Sequence, residues 1–266
     1  MLIDGSSASV VDREHARSTD NGPALLDTLA ELVGRLVARS PDPVTAIGLG
    51  IAGLASSSGT VAYSPNLIGI ADYPLGTKLA ERTGLPVATL NDATAATWAE
   101  AKFGAGRSCD DFLLIGLGTG IGGGFVIGGQ LLTGANGYAG EVGHMVIDFD
   151  GGTHHTGQRG PWESFASGSA LGRMTNERPD ATEEEVLNDF CQLVAIGLAN
   201  LVMIFDPQRI VIGGGVCSIG EPLRSGIERW LDQLTLGRDH RPAVEVVLAE
   251  LGDDAGAVGA ALWAAR

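Results

Sequence analysis

The sequence predicts an α/β protein, and two observations carry this prediction. Short apolar runs typical of buried strands alternate along the chain with stretches whose apolar residues recur at helical spacing. Near the middle, the run 112–115 (F-L-L-I) breaks at Gly116 into a loop of glycines around Thr119, and a second apolar run follows. A strand, a glycine loop and a returning strand therefore form the centre of the predicted fold.

The glycine loop also fits the G-x-G-x-x-G pattern of dinucleotide-binding folds, through Gly118, Gly120 and Gly123. That pattern requires a helix after the loop, whereas residues 124–132 have the pattern of a hairpin with a Gly-Gly turn. Because glycine lacks a Cβ, the backbone N–H groups of such a loop can approach an anion. A glycine loop between antiparallel strands favours nucleotide phosphates in the manner of the actin/hexokinase folds, although alone it fits a hairpin that binds nothing equally well.

Two flanking segments favour the phosphate-binding interpretation of the loop. Residues 91–96 (N-D-A-T-A-A) follow a strand-like run, and residues 140–144 (G-E-V-G-H) follow the hairpin. Together with L-G-T-G-I-G-G-G at 117–124, these segments in this order resemble the ROK family of sugar kinases and repressors. The resemblance extends from about residue 46 to the C-terminus.

The resemblance implies the actin/hexokinase ATPase fold, in which two RNase H-like α/β lobes enclose an interlobe cleft for sugar and nucleotide. We assign residues 1–105 to the N-terminal lobe, which the C-terminal helix 253–266 completes, and residues 106–252 to the C-terminal lobe. At 266 residues the chain is long enough for two lobes with cores of their own.

Composition restricts the partners. The chain has 32 acidic and 17 basic residues, a net charge of −15, whereas a protein that binds nucleic-acid phosphates needs a basic face. ROK repressors carry an extra N-terminal helix-turn-helix, which we do not expect here. No run approaches the length of a membrane span, and the three scattered cysteines form no C-x-x-C pair. We expect a cytoplasmic protein without nucleic-acid or membrane partners, which assembles as a homodimer or homotetramer.

The N-terminal segment reads as two short strands around the turn 4–7 (D-G-S-S). ROK kinases begin one element earlier, with a strand that ends in a D-x-G-G-T loop handling phosphate and Mg²⁺. Residues 4–7 are either a decayed form of that loop or, as we prefer, the turn between the family's second and third strands. The chain would then lack the first strand, and we expect weak hexose binding and slower phosphoryl transfer than in a form extended upstream.

The following elements are predicted from periodicity and turn residues. They are a helix at 24–39, a strand at 46–51, a helix at 75–83, a strand at 87–90 and a helix at 93–101, and the resemblance adds a short strand near 59–61. Between them lies Asn66, which follows Pro65 and by itself indicates a turn. The resemblance makes Asn66 a sugar ligand.

Asp92 lies where the strand at 87–90 meets the next helix, so Asn91 or Asp92 could simply cap that helix. The resemblance gives them further roles. It assigns Asn91 a hydrogen bond to the sugar and makes Asp92 the general base. A sugar hydroxyl is a poor nucleophile, and a carboxylate within hydrogen-bond reach can take its proton as the O–P bond forms.

The G-E-V-G-H segment places Glu141 and His144 three residues apart, after a flexible glycine-containing stretch. The resemblance assigns both to the sugar hydroxyls, together with Glu163. In most ROK proteins the histidine is followed by C-x-C-G-x-x-G-C-x-E, whose cysteines join it in a structural zinc site. Here all three cysteine positions hold other residues: His154, Thr156 and Pro161.

Structural zinc is therefore not expected. His144 with His154 or His155 supplies two or three ligands, fewer than a structural zinc site uses. We expect the packing of Pro161 and Trp162 to brace His144 instead.

The C-terminal part continues the alternation. It contains a helix at 183–204, a strand from 209 that enters the glycine turn 213–215, a helix at 222–234, a strand at 244–248 and a helix at 255–265. The resemblance places Gly213, Gly214 and Gly215 against the adenosine and Gly118, Thr119 and Gly120 against the phosphates.

These expectations favour an ATP-dependent hexokinase of glucokinase type that acts on the sugar 6-hydroxyl, with Mg²⁺ bound to the nucleotide. An N-acylmannosamine or fructose kinase shares every motif, and a non-catalytic sugar-binding ROK sensor is an alternative of another class. The preferred hexose and the use of polyphosphate instead of ATP stay open at this point.

Overall fold

The computed structural model describes residues 1–67, 69–178 and 180–266 and divides them into two units. The first unit contains Met1–Phe103, Leu132–Ala139 and Asp253–Arg266, and the second contains Gly104–Leu131 and Gly140–Gly252. The segment Leu132–Ala139 belongs to the first unit because it packs on its backbone. A Cβ on Gly137 would lie 2.9 Å from the carbonyl oxygen of Ala55.

In its described residues, the first unit combines short strands with four helices. The strands are β1 (Leu2–Asp4), β2 (Ser9–Asp12), β3 (Ile47–Ile51), β4 (Leu54–Ala55), β5 (Val61–Tyr63) and β6 (Val87–Asn91). The helices are α1 (Gly22–Arg39), α2 (Leu75–Thr83), α3 (Asp92–Phe103) and α8 (Ala255–Ala264). The described strands pair two by two: β1 with β2, β3 with β6, and β4 with β5.

Strands β3 and β6 are parallel, with Ile51 opposite Asn91 at their carboxyl ends. Helix α8 covers this pair at very short range, because a Cβ on Gly48 of β3 would lie 2.0 Å from the Ala260 carbonyl oxygen. Small residues thus let the terminal helix approach the strands closely. The consequence for function is that the chain leaves β3 and β6 at the same edge, where Asn91 lies.

The strands β1 and β2 form an antiparallel hairpin, which confirms the predicted turn at residues 4–7. The Asp4 carboxylate accepts hydrogen bonds from the N–H and hydroxyl of Ser6, at 2.8 and 2.7 Å, and from the Ser7 hydroxyl at 3.0 Å. The Ser6 hydrogen bonds hold the pKa of Asp4 below its usual value. In this structure Asp4 stabilises its own turn.

The second unit is built on a five-stranded sheet of order β11-β10-β7-β8-β9. Its strands are β7 (Phe112–Leu117), β8 (Ile121–Ile127), β9 (Gln130–Leu131), β10 (Arg209–Gly213) and β11 (Glu245–Leu248). Its helices are α4 (Glu163–Ala166), α5 (Gly168–Glu177), α6 (Glu183–Phe205) and α7 (Glu221–Leu234). Strands β7 and β8 are antiparallel, as predicted for the strands on either side of the glycine loop, and β10 runs parallel to β7. Strands β8 and β9 are also antiparallel, which confirms the predicted hairpin with the Gly-Gly turn. Helices α4 and α5 were not predicted.

Helix α6 corrects one expectation, because by length and composition it is long and apolar enough to cross a membrane. Half of its most apolar window is nevertheless buried inside the protein. Phe190, Val194 and Leu198 are fully buried in the core of the second unit. A buried core helix passes the same test of length and apolarity, so α6 by itself is weak evidence for a membrane span.

Candidate active site

In the first unit, Asn91 fixes the backbone around the predicted base. Its Oδ1 accepts hydrogen bonds from the N–H groups of Ala93 (2.9 Å) and Thr94 (3.1 Å), which caps α3 as predicted. Its Nδ2 donates to the Gly53 carbonyl oxygen at 3.1 Å. Asn91 therefore ties the start of α3 to the loop after β3.

Asp92 follows directly and keeps an exposed side chain. One carboxylate oxygen accepts from the Ala93 N–H at 2.9 Å. Desolvation by surrounding protein atoms raises the pKa of Asp92, and the backbone N–H groups of Ala93 and of Asp92 itself oppose this rise. A carboxylate with a raised pKa is a better proton acceptor than an ordinary surface carboxylate, and its accessibility lets a substrate reach it.

Asn66 is exposed in a turn in which the Leu67 N–H donates to the Ser64 carbonyl oxygen. This turn adjoins the loop that Asn91 holds, because a Cβ on Gly53 would lie 2.5 Å from the Tyr63 carbonyl oxygen and 2.9 Å from Ser64 Cα. The backbone near Gly53 thus joins the segments of Asn66 and Asn91.

In the second unit, the predicted nucleotide glycines come together. A Cβ on Gly214 would lie 2.5 Å from the Leu117 carbonyl oxygen, and Gly214 has φ +86°, which favours glycine. The turn after β10 therefore packs directly on the end of β7, where the loop of Gly118, Thr119 and Gly120 begins. The two sets of glycines are therefore adjacent, and Thr119, Gly214 and Gly215 are exposed there.

A third segment at this surface was missed in the sequence. Gly168, the first residue of α5, donates its N–H to the Gly118 carbonyl oxygen at 2.7 Å, and the Ser169 hydroxyl donates to the Thr119 carbonyl oxygen at 2.8 Å. Ser167 caps the helix by accepting from the Ala170 N–H. A serine able to cap a helix at position 167 was the signal available in the sequence. The contacts that Gly168 and Ser169 make with the glycine loop could not be predicted from it.

The segment carrying Glu141 and His144 packs closely on β8. A Cβ on Gly143 would lie 2.4 Å from the Ile121 carbonyl oxygen, so the glycine of this motif is needed for the approach. Residues Val142–His144 form a 3₁₀ turn, in which the His144 N–H donates to the Glu141 carbonyl oxygen at 3.2 Å. Both Glu141 and His144 are partly exposed.

Glu163 joins the glycine loop to the histidines. Its Oε2 accepts from the Ile121 N–H at 3.1 Å, and its Oε1 lies 3.0 Å from His154 Nε2. A Cβ on Gly120 would lie 2.4 Å from Glu163 Oε2, so the loop leaves room only for glycine there unless the carboxylate moves. Glu163 is therefore fixed at both oxygens.

His144, His154 and Glu163 can each bring one ligand atom within 4.8 Å of the others, the geometry of a possible metal site. The four-ligand zinc site implied by the resemblance does not fit these residues, because Thr156 and Pro161 offer no thiolate or imidazole. Of the four positions of that zinc site, only those of His144 and His154 hold a residue of a type that binds zinc.

A sequence profile of the ROK family matches residues 1–266. A glucokinase from Streptomyces coelicolor is 36% identical, over 96% of this chain and 92% of that protein. An N-acetylmannosamine kinase from Haemophilus influenzae is 31% identical, over 90% of this chain and 83% of that protein.

Among solved structures, a ROK family glucokinase from Streptomyces griseus in complex with glucose and AMPPNP is similar with a TM-score of 0.86. It is 32% identical, and the match covers 99% of this chain and 94% of that one. The fold is thus the actin/hexokinase ATPase fold of ROK kinases, as predicted. The three sequence motifs, the fold and these matches agree, and the chain belongs to the ROK family.

Proposed function

We propose that this chain is an ATP-dependent kinase that phosphorylates the 6-hydroxyl of a hexose, with glucose as the first candidate. The observation that carries the proposal is the position of Glu163 in the second unit. One of its oxygens holds the backbone of the glycine loop at Ile121, and the other faces the His144–His154 cluster. A predicted sugar ligand is thus fixed next to the predicted phosphate loop, as phosphoryl transfer requires.

In this proposal Glu141, His144 and Glu163 hold the sugar hydroxyls. Carboxylates accept hydrogen bonds from vicinal hydroxyls, and an imidazole can accept one more. Asp92 takes the proton of the 6-hydroxyl as the O–P bond forms, supported by its raised pKa and its exposure. Asn66 and Asn91 contribute further hydrogen bonds to the sugar, Asn91 also keeping Asp92 in place.

The nucleotide is assigned to the glycine surface of the second unit. The backbone of the loop at Gly118, Thr119 and Gly120 is assigned to the phosphate oxygens, with the Gly118 N–H held by the Gly120 carbonyl oxygen at 3.0 Å. The glycine turn of Gly213, Gly214 and Gly215 is assigned to the adenosine. Mg²⁺ that arrives with ATP supplies charge neutralisation at the phosphates. The chain itself contributes the orientation of donor and acceptor.

Gly168→Ala tests the packing at the glycine surface. The new Cβ would lie 2.8 Å from the Gly118 carbonyl oxygen and 3.1 Å from Val216 Cγ2, so the loop must shift. Overpacking of this kind costs roughly 1–3 kcal/mol of stability. We expect a lower melting temperature and a KM for ATP raised several-fold, with glucose affinity retained, measured by thermal melting and a coupled assay.

Gly172→Ala is the matched control, because Gly172 lies in the same helix and a Cβ there would meet no heavy atom within 4 Å. Alanine is favoured over glycine inside a helix by roughly 0.5–1 kcal/mol, so this variant should be as stable as the parent or more so. Equal effects of the two substitutions would contradict close packing of α5 on the loop.

The proposed function is tested by a coupled assay of the purified protein with ATP over glucose, mannose, fructose and N-acetylmannosamine. We expect glucose to give the highest kcat/KM, in line with the glucokinase relatives. N-acetylmannosamine is the second candidate, because a kinase for that sugar is 31% identical. Sugar binding without phosphorylation of any sugar would contradict the proposal and favour a sensor.

We also infer that the protein works in the cytoplasm as a homodimer or homotetramer. Its three cysteines are free thiols, which suits a reducing compartment. Membership of the ROK family supports the oligomer. Sedimentation at several concentrations measures the number of subunits, and a monomer throughout would contradict it.

A further inference from the structure

We propose that Gln158 is a positioning residue that orients His144 toward the sugar, in a hydrogen-bonded brace that works without a metal ion. The inference rests on the proposed function, since it concerns the ligands of the same sugar. It differs from the expected packing of Pro161 and Trp162, because it assigns the orientation of His144 to a side chain that the sequence did not single out.

The Gln158 carboxamide contacts His144 at two points. Its Nε2 donates to the His144 carbonyl oxygen at 2.5 Å, and its Oε1 lies 3.1 Å from His144 Nδ1. A carbonyl oxygen only accepts hydrogen bonds, so the nitrogen of the amide must face it. The amide oxygen then faces Nδ1, and because that oxygen can only accept, Nδ1 carries the hydrogen. A neutral His144 therefore keeps its free lone pair on Nε2.

The segment around Gln158 is well fixed. The His154 N–H donates to the Gln158 carbonyl oxygen at 2.7 Å, and the Gly157 N–H donates to the His154 carbonyl oxygen at 2.9 Å. Thr153 and Arg159 pair across the base of this turn. The turn thus presents the carboxamide of Gln158 to His144 in one orientation, and Nε2 is the nitrogen left to accept from a sugar hydroxyl.

His154 completes the brace with the opposite tautomer. Its Nε2 lies 3.0 Å from Glu163 Oε1, and an ionised carboxylate only accepts, so Nε2 carries the hydrogen. Its Nδ1 then accepts from the Thr156 hydroxyl at 2.9 Å. His154 thus holds Glu163 as Gln158 holds His144.

This proton arrangement opposes a metal ion at the same residues. A metal bound to His154 Nε2 would have to displace the proton that this nitrogen donates to Glu163 in the brace. Glu163 Oε2 is already engaged by the Ile121 N–H. The neighbouring Trp162 is fully buried and donates its ring N–H to the Leu193 carbonyl oxygen at 3.0 Å. Hydrogen bonds and packing therefore stabilise this segment where other family members use zinc.

The test compares Gln158→Met with Gln158→Glu. Methionine has a similar length and neither a donor nor an acceptor of comparable strength, so ¹⁵N NMR of labelled histidine should show that His144 loses its preference for the Nδ1–H tautomer. Glucose affinity should fall about 5- to 30-fold, the equivalent of one or two hydrogen bonds. Glutamate keeps an acceptor at Nδ1 but loses the donor to the His144 carbonyl, so the tautomer should persist with a smaller loss of affinity.

Gln233→Met is the matched control, because Gln233 is an exposed glutamine of α7 in the same unit. It should leave the tautomer and glucose affinity unchanged. An unchanged tautomer and glucose affinity in Gln158→Met would overturn the proposal. If Gln158→Met does not fold, loss of the Nδ1–H tautomer in Gln158→Glu would overturn it as well.

Metal analysis gives an independent readout. The purified protein should hold no stoichiometric zinc after dialysis, and a chelator should change neither its melting temperature nor its glucose affinity. Retained zinc whose removal lowers either quantity would overturn the metal-free brace. Because the tautomer and the metal content are measured on the free protein, they test the brace even if no hexose is phosphorylated, which would refute only the proposed function.

Discussion

Asp92→Asn is expected to lower kcat by roughly 10²–10⁴, the range typical for loss of a positioned general base. Glucose affinity should stay within a few-fold, because the asparagine side chain has nearly the same shape. Its Oδ1 can still accept from the Ala93 N–H, as Asp92 does at 2.9 Å, so the start of α3 is preserved. A coupled assay gives kcat, and calorimetry gives the glucose Kd.

The pH dependence separates this effect from misfolding. The pKa of Asp92 is raised above the ordinary 3.8. Because only the ionised carboxylate can act as the base, kcat/KM should decrease as the pH is lowered, and the midpoint of this acid limb should lie above pH 3.8. The native state holds this proton to a higher pH than the unfolded chain, so the stability contribution of Asp92 falls as pH rises from about 3.8 through its folded pKa, and the full cost remains at higher pH. Asp92→Asn removes this cost, and its melting temperature at neutral pH should equal or exceed that of the parent.

Asp42→Asn is the control, an equal loss of charge at an exposed position of the first unit. It should keep the parent's kcat and acid limb. Near-normal turnover of Asp92→Asn would show that Asp92 is not the general base and serves only at the start of α3.

The elements that the sequence predicted well are those that periodicity and turn residues define locally. Helix α2 has the bounds predicted, and α6 is one residue longer, because both have a regular apolar stripe. The hairpin of β7 and β8 followed from its glycine turn. Helix α5 was missed because glycine begins it and recurs at Gly172, so local propensity is weak. Hydrogen bonds from the start of this helix to the glycine loop, some fifty residues earlier in the sequence, stabilise it instead.

Individual site residues could be predicted only where they belong to a recognisable sequence motif. Asn91 was expected to cap a helix or to bind sugar, and the structure shows the cap together with a hydrogen bond to Gly53. The role of Gln158 could not be predicted, because it depends on which way one carboxamide faces. Side-chain hydrogen bonds between distant turns leave no periodic pattern in a sequence.

The second large effect is expected from Glu141→Ala, which should weaken glucose binding by roughly 2–5 kcal/mol, the cost of removing one partner from a charged hydrogen bond that the bound sugar would bury. The backbone around Glu141 supports a fixed orientation. Gly140 has φ +108°, a conformation that favours glycine, and the Glu141 carbonyl oxygen accepts from the His144 N–H at 3.2 Å. Isothermal calorimetry with glucose measures the loss, and the KM for ATP should change little.

Glu141→Gln distinguishes the charge from the shape. The amide keeps one oxygen that can accept from a sugar hydroxyl, so its loss of glucose affinity should be smaller than that of alanine, by about the difference between a charged and a neutral hydrogen bond. Because the 3₁₀ turn at Val142–His144 is closed by backbone atoms, both variants should melt close to the parent. A glucose Kd unchanged in Glu141→Ala would place this carboxylate outside the sugar site.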